Sequence, residues 1–307
     1  MEPYDLIIVG GGPAGLTAGI YARRSRLNVL RIEKLSPGGQ VLITDWVDNY
    51  PGFPEGISGF DLVDRMRQQA ERFDLPIIND EVLSLSVEGV EKLLKGHEKN
   101  YRTRALIIAS GASHKKLGIP GEGLLTGKGV SYCATCDGPF YFGQDIVVVG
   151  GGDTAVQEAI YLTRFAKKIY LIHRRDQLRA ARILQEKALA HTSIEPVWNA
   201  VAEKILGTDQ VEGVQIKKVD GSPGLTLNVQ GAFIFIGIQP NTGWLQGTVK
   251  LNVHGFIETD DTMATLLPGV FAAGDARCKL LWQISTAVGD GATAAYAAER
   301  YLETLEA

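Results

Sequence analysis

Two cysteines stand three residues apart in Tyr132-Cys133-Ala134-Thr135-Cys136-Asp137-Gly138. At that spacing two thiols close a small disulfide ring and pass electrons by exchange, with one thiolate stabilised to a pKa of about 3.5 to 7.5. The same spacing also occurs as half of a zinc site, but structural zinc takes four nitrogen or sulfur ligands, usually from two paired motifs. The only other cysteine is Cys278, alone, and the five histidines are scattered. Redox exchange is therefore the reading, Cys278 is an incidental thiol, and no metal is expected. Asp137, directly after Cys136, reads either as a proton donor and acceptor for the exchange or as a helix N-terminal acid.

A second chemistry-bearing feature occurs twice. Leu6-Ile7-Ile8-Val9-Gly10-Gly11-Gly12-Pro13-Ala14-Gly15 returns 140 residues later as Ile146-Val147-Val148-Val149-Gly150-Gly151-Gly152-Asp153-Thr154-Ala155. The match continues, with Ile20-Tyr21 meeting Ile160-Tyr161 and Ile32 meeting Ile172. Each copy reads as a buried strand, a glycine turn, an amphipathic helix and a second strand, a βαβ unit with the dinucleotide signature G-x-G-x-x-G/A. The glycines let the backbone approach a pyrophosphate, whose charge then sits at a helix N-terminus. Two dinucleotides are expected.

The copies differ where the second strand ends. Copy one supplies Glu33, 23 residues after Gly10, and copy two supplies His173 at the same offset, followed by Arg174 and Arg175, with Arg179 one turn on. A carboxylate there hydrogen-bonds a free ribose hydroxyl. Guanidinium groups instead fork onto a 2′-phosphate. Copy one suits the adenosine of FAD and copy two suits NADPH.

The elements around these sites follow from periodicity. Helices are expected near Phe60–Phe73, near Leu178–Ala190 and from about Gln283 to Leu305. Alternation near Val82–Val87 and Arg102–Ala109 predicts strands of a smaller sheet. Ile107-Ile108-Ala109-Ser110-Gly111 ends a strand on a further glycine signature. Pro120-Gly121 and Gly127–Gly129 read as a linker. Phe233-Ile234-Phe235-Ile236-Gly237 closes a set of short strands, and Gly269–Asp275 reads as a buried strand ending on an acid. The fold class is α/β, with two Rossmann-like dinucleotide-binding domains. The first is discontinuous, residues 1–114 and 243–307, and the second, residues 115–242, is inserted and carries the cysteine pair.

Bulk properties narrow the function. The chain has 307 residues, 45 % of them hydrophobic and 21 % charged, with a net charge of −4. That balance gives no support to nucleic-acid binding, which shows as a basic excess. The longest apolar runs, such as Ile146–Val149, are strand-sized, so no membrane span is expected. Residues 1–12 carry Glu2 and Asp5 and show no signal-peptide pattern. Sparse cysteine fits a reducing compartment, and a cytoplasmic location is expected.

Taken in order, these motifs resemble the low-molecular-weight thioredoxin reductases over essentially the whole chain. The markers are Gly10–Gly15, Gly38-Gly39-Gln40, Cys133–Asp137, Gly150–Ala155, His173-Arg174-Arg175-Asp176 with Arg179, and Gly274-Asp275 before the last helix. The resemblance implies NADPH-dependent reduction of thioredoxin through FAD and the Cys133–Cys136 disulfide, in a homodimer. It implies that the inserted domain rotates to present the flavin alternately to nicotinamide and to the disulfide. It also implies that Cys136 is the sulfur beside the flavin and Cys133 the one that exchanges with thioredoxin. For FAD it implies Gly10, Gly12, Pro13, Ala14, Gly15, the stretch Glu33–Gln40 with Lys34, Gly38 and Gly39, and also Asn49, Val82, Ala109 and Gly111. Gly274 and the stretch Asp275–Ile284, with Trp282 and Gln283, complete that set. For NADPH it implies Gly150, Gly152, Asp153, Thr154, Ala155, His173, Arg174, Arg175, Arg179 and Gly237. The chain departs from the family at Trp282, where an arginine usually precedes the glutamine.

Overall fold

A computed structural model describes residues 4–34, 38–44, 46–47 and 49–306. Along the first segment run β1 (Tyr4–Val9), α1 (Pro13–Arg24), β2 (Val29–Glu33), α2 (Gly59–Glu71), β3 (Ile77–Asn79), β4 (Val82–Glu88), β5 (Glu91–Gly96) and β6 (Asn100–Ile108). The middle segment carries β7 (Val130–Ser131), α3 (Ala134–Asp137), β8 (Asp145–Val149), α4 (Asp153–Leu162), β9 (Lys168–Ile172) and α5 (Arg182–Leu189). It continues with β10 (Ile194–Val197), β11 (Ala200–Leu206), β12 (Gly213–Lys218), β13 (Leu225–Leu227) and β14 (Gly231–Ile234). The last segment adds β15 (Val270–Ala272) and α6 (Ile284–Glu306).

Two compact units result, one from residues up to 113 together with those from 239 onward, the other from residues 114–238. The first unit's main sheet has the order β3-β2-β1-β6-β5-β4, with β15 also on β6. The second unit's sheet has the order β10-β9-β8-β14-β7, parallel throughout. Both copies of the repeat thus start on a strand with a parallel neighbour on either side. Their strands are apolar on both faces: Leu6, Ile7, Ile8 and Ile146, Val147, Val148 are all 0 % exposed. Each such side chain contributes about 1.5–3 kcal/mol through its burial.

Three sequence expectations change. The segments Val82–Val87 and Arg102–Ala109 do not form a separate smaller sheet. β6 is long enough to lie beside β1 along one edge while its other edge is shared, Asn100–Thr103 with β5 and Leu106–Ile108 with β15. In the second unit the corresponding meander, β11-β12-β13, does stand apart. Pro120-Gly121 and Gly127–Gly129 are turns inside the second unit, not a linker: Ile205 N donates to Pro120 O at 2.9 Å and Val211 N to Lys128 O at 3.0 Å. The helix expected from Leu178 begins at Arg182, because Leu178–Ala181 folds back over the glycine turn. There Arg179 N donates to Gly151 O and Ala181 N to the Asp153 carboxylate, both at 2.7 Å. The helices expected near Phe60–Phe73 and Gln283–Leu305 are α2 and α6.

Helix α6 crosses the start of α1 at contact distance. A Cβ built on Gly291 would lie 2.3 Å from Ala14 O, so glycine there is a packing requirement. At its far end α6 presents Tyr301 to a fully buried lysine. Lys92 Nζ donates to Val90 O at 2.9 Å, Arg104 O at 2.7 Å and Tyr301 Oη at 3.2 Å. Burial pushes its pKa down from 10.5 to about 8. Arg31, on β2, is also fully buried, and its guanidinium has no hydrogen-bond partner among the described residues. Burial lowers its pKa to about 10 against the raising charges of Glu33 and Glu71.

The lysine sets a pH dependence. Between its folded pKa of about 8 and its ordinary 10.5 the unfolded chain binds more protons than the folded one, so this group makes stability rise with pH across that window. The rise is at most about 1.4 kcal/mol per pH unit. Urea midpoints of wild type and Lys92→Met, measured across that window, should diverge, the variant's being the flatter. Parallel profiles would show that Lys92 titrates normally.

Candidate functional site

Cys133 and Cys136 are joined as a disulfide, with Cα atoms 5.3 Å apart. Cys133 is the N-cap of α3 and has extended backbone, and its Sγ accepts from Cys136 N at 3.2 Å. Ser131 Oγ, at the end of β7, accepts from Cys133 N at 3.1 Å and donates to Cys133 O at 3.2 Å. Ala134 is buried in the core cluster that also contains Ile146, Val148 and Phe233, which anchors the motif to the sheet. Asp137 ends α3, and its N donates to Cys133 O at 3.1 Å. Its charge reaches Tyr141, whose pKa is pushed up to about 12, mainly by burial and then by Asp137. Past the motif Phe140 is 50 % and Phe142 78 % exposed. These two aromatics were not anticipated; the signal was Pro139, which starts a short turn and cannot let the apolar run that follows enter a strand.

The first glycine turn is built as the spacing requires. Gly10 has φ +119°, and its Cβ would lie 2.1 Å from Ala109 O. Gly15 has Gly10 O at the same 2.1 Å. Gly11 N donates to the Glu33 carboxylate, and Gly38 N to Gly11 O at 2.8 Å, which brings Glu33 and Gly38 to the turn. Gly39 and Gln40 open a short 3-10 helix after it. Residues 35–37, inside the expected Glu33–Gln40 stretch, lie outside the described residues. Lys34 is exposed and paired with Glu81 at 2.6 Å. Val82 is buried at the start of β4. Ala109 N donates to Val9 O at 2.7 Å, and Gly111 O accepts from Asn241 N at 2.9 Å. Asn49 Nδ2 donates to Gln283 Oε1 at 3.0 Å, which joins two distant expected residues.

Asp275 follows β15 in a short turn headed by Gly274. Burial pushes its carboxyl up, and Lys279 opposes that shift. Lys279 Nζ lies 3.4 Å from Asp275 Oδ1 and 3.1 Å from Asp290 Oδ2. Asp290 also takes Arg277 Nη1 at 3.0 Å and Gly274 N at 3.1 Å. This network behind Asp275 was missed, although an acid among the alanines and glycines of α6 was a visible cue. Ile284 opens α6. Trp282 packs its ring 5.5 Å from that of Phe256.

The second turn repeats the first. Gly150 has φ +153°, with Phe235 O 2.4 Å from its built Cβ. Where Glu33 crowds Gly11, His173 crowds Gly151, its Nδ1 2.2 Å from the built Cβ. His173 is buried, and its Nε2 has no hydrogen-bond partner among the described residues. Burial, then Arg179, Arg175 and Arg174, lowers its pKa, so the ring is neutral near pH 7. The three arginines are exposed, and among the described residues none is paired with a carboxylate. Asp153 caps the returning segment, Thr154 is exposed and Ala155 is buried. Gly237 has φ +118° and accepts from Lys115 N at 2.9 Å.

Gly12 and Gly152 differ from their neighbours in that nothing among the described residues lies within 4 Å of a built Cβ. Both have extended backbone, φ −75° and −89°. Each is an open cradle at a helix N-terminus, which fits a dinucleotide pyrophosphate. Gly12→Ala and Gly152→Ala should therefore leave the stability of the cofactor-free chain within about 1 kcal/mol of wild type. The first should weaken FAD binding and the second NADPH binding, each at least tenfold in fluorescence titrations. Unchanged affinities would show that the cradles are not the phosphate sites.

Comparison with known proteins places the chain. The family profile of pyridine nucleotide-disulphide oxidoreductases matches residues 4–294. The thioredoxin reductase of Peptoclostridium litorale is 44 % identical, with 98 % of each chain covered. That of Listeria monocytogenes is 46 % identical over 99 % of this chain and 95 % of its own. The crystal structure of thioredoxin reductase from Streptococcus pyogenes superposes with a TM-score of 0.95 at 45 % identity, covering 98 % of both chains. With the two dinucleotide turns and the closed cysteine pair, these matches establish that the chain belongs to the pyridine nucleotide-disulphide oxidoreductases and, among them, to the thioredoxin reductases, whose cofactors are FAD and NADPH.

Proposed function

We propose that the chain reduces the disulfide of a thioredoxin with NADPH, using Cys133 and Cys136 as the exchanging pair. The observation that carries this reading is the closed Cys133–Cys136 ring, held at Cys133 by the Ser131 hydroxyl on one side and by Asp137 N on the other. The residues around Gly10, Glu33, Gly38 and Asp275 would hold FAD, and those around Gly150, with Arg174, Arg175 and Arg179, would hold NADPH. When bound, FAD supplies the two-electron relay between a nicotinamide and a disulfide.

The chain's own chemistry is thiol exchange. Once the pair is a dithiol, the Cys133 thiolate attacks one sulfur of the acceptor disulfide, forms a mixed disulfide and releases one acceptor thiolate. The Cys136 thiolate then attacks Cys133 Sγ, closes the ring and releases the second. The Cys136 N–H that reaches Cys133 Sγ would stabilise the attacking thiolate, and this supports Cys133 as the outward sulfur. Asp137, next to Cys136, takes up or returns the proton lost and gained there. Phe140 and Phe142 offer an apolar face beside the pair, suited to the rim of a protein substrate.

Among the described residues no carboxylate pairs with Arg174, Arg175 or Arg179, which leaves their charge for a 2′-phosphate. The reading extends to a homodimer, testable by light scattering. It also extends to the cytoplasm, where the exposed Cys278 would stay reduced. Among the described residues no helix is long and apolar enough to cross a membrane.

Two experiments bear on these assignments. Cys136→Ser should accumulate a Cys133–thioredoxin mixed disulfide on non-reducing gels, because no resolving thiol remains, whereas Cys133→Ser should not. The reverse pattern would exchange the two roles. Replacing Arg174 and Arg175 by Ala should raise KM for NADPH about tenfold or more per contact, since each charge-assisted bond contributes roughly 1.5–3 kcal/mol. KM for NADH should hardly move, and equal losses for both coenzymes would remove the arginines from phosphate recognition.

A further inference from the structure

The residue before Cys133 is clamped at both ends of its side chain. Tyr132 Oη donates to Glu122 Oε1 at 2.7 Å, and its ring stacks on His114 with centroids 5.2 Å apart and planes 20° apart. Glu122 is 2 % exposed, and among the described residues no lysine or arginine pairs with it. Its other hydrogen bonds come from backbone: Leu117 N donates to Oε1 at 2.9 Å and Gly118 N to Oε2 at 2.7 Å. The turn that carries it is fixed in place. Gly121 has φ +88°, and Ile205 O lies 2.1 Å from where its side chain would begin. His114, which begins the second unit, has its pKa lowered by burial, so it stacks as a neutral ring.

A buried carboxylate without a cation is a costly thing to keep. Three donors satisfy Glu122, and one of them belongs to the residue that separates Ser131 from Cys133. Ser131 Oγ in turn binds both the N–H and the carbonyl of Cys133. The chain from Glu122 through Tyr132 to the Cys133 backbone is therefore continuous, and all of it lies in one unit.

We infer that Glu122 and Tyr132 are positioning residues for the redox pair, holding Cys133 where its sulfur meets that of Cys136. They touch no substrate and act through the Cys133 backbone. What they set is the effective concentration of one sulfur beside the other, and so the ease with which the ring opens. The inference takes from the proposed function only that this pair exchanges with outside thiols.

The test is the equilibrium of the full-length holoenzyme with reduced and oxidised glutathione, read by alkylating free thiols and weighing the protein. Tyr132→Phe removes one hydroxyl and keeps the stacked ring; Glu122→Gln keeps the size and removes the charge. Both should make the Cys133–Cys136 disulfide roughly three- to tenfold easier to reduce, a rise in potential of up to about 30 mV. FAD content should stay at the wild-type level. If urea midpoints fall while the glutathione equilibrium stays at the wild-type value, the clamp is structural only and the inference fails. The Phe variant alone decides the matter should the Gln variant fail to fold. Thioredoxin is absent from this measurement, so a wrong acceptor assignment would leave its outcome unchanged.

Discussion

A main-chain carbonyl occupies the space that a side chain would need at the first glycine of each turn, Ala109 O at Gly10 and Phe235 O at Gly150. Much of the architecture depends on that approach. It lets the third parallel strand of each sheet, β6 or β14, run past the turn at hydrogen-bonding distance, with Ala109 N on Val9 O and Phe235 N on Val149 O. It leaves the next residues to open a helix whose first N–H groups face outward, where an anion is welcome. Any larger residue would push strand and turn apart, and the sheet edge and the helix start would be disturbed together.

The two turns share this frame and differ in the side chain laid over the middle glycine. Over Gly11 lies a carboxylate and over Gly151 a neutral imidazole, each reached from the end of the second strand. The loop after that strand then folds back in both units, donating from Gly38 N or Arg179 N to the middle glycine's carbonyl. In the first unit this return brings glycines, in the second a guanidinium. The two units thus differ in what the returning loop carries, while the turn that it meets is common.

Much of this was legible in the residues. The duplicated glycine signature, the contrast of Glu33 with His173 and the cysteine spacing all depend on local chemistry, and local chemistry is readable at fixed offsets. Where the reading slipped, a partner distant in sequence decided. Alternation showed that Val82–Val87 and Arg102–Ala109 are strands, but not that β6 serves two neighbours on one edge. Helical periodicity at Leu178–Ala181 was real, yet the backbone donors there were claimed by Gly151 O and Asp153. Pro120-Gly121 reads as part of a linker and is a pinned turn, because Ile205 lies against it. The charge network of Asp290, Lys279 and Arg277 gathers residues from a turn and a helix, and no spacing rule foretells it.

The shared edge of β6 has a consequence for how the chain comes into being. Leu106–Ile108 wait for Val270–Ala272, a partner about 160 residues further on. At roughly 5–20 residues per second, a ribosome takes on the order of 10–30 seconds to deliver it. During that interval the inserted unit has its whole sheet available and can fold, while the first unit carries an open strand edge on a buried, apolar face. Such edges recruit foreign strands. Nascent chains of this enzyme therefore pass through a stage at which the cysteine-bearing half is complete and the other half still needs shielding.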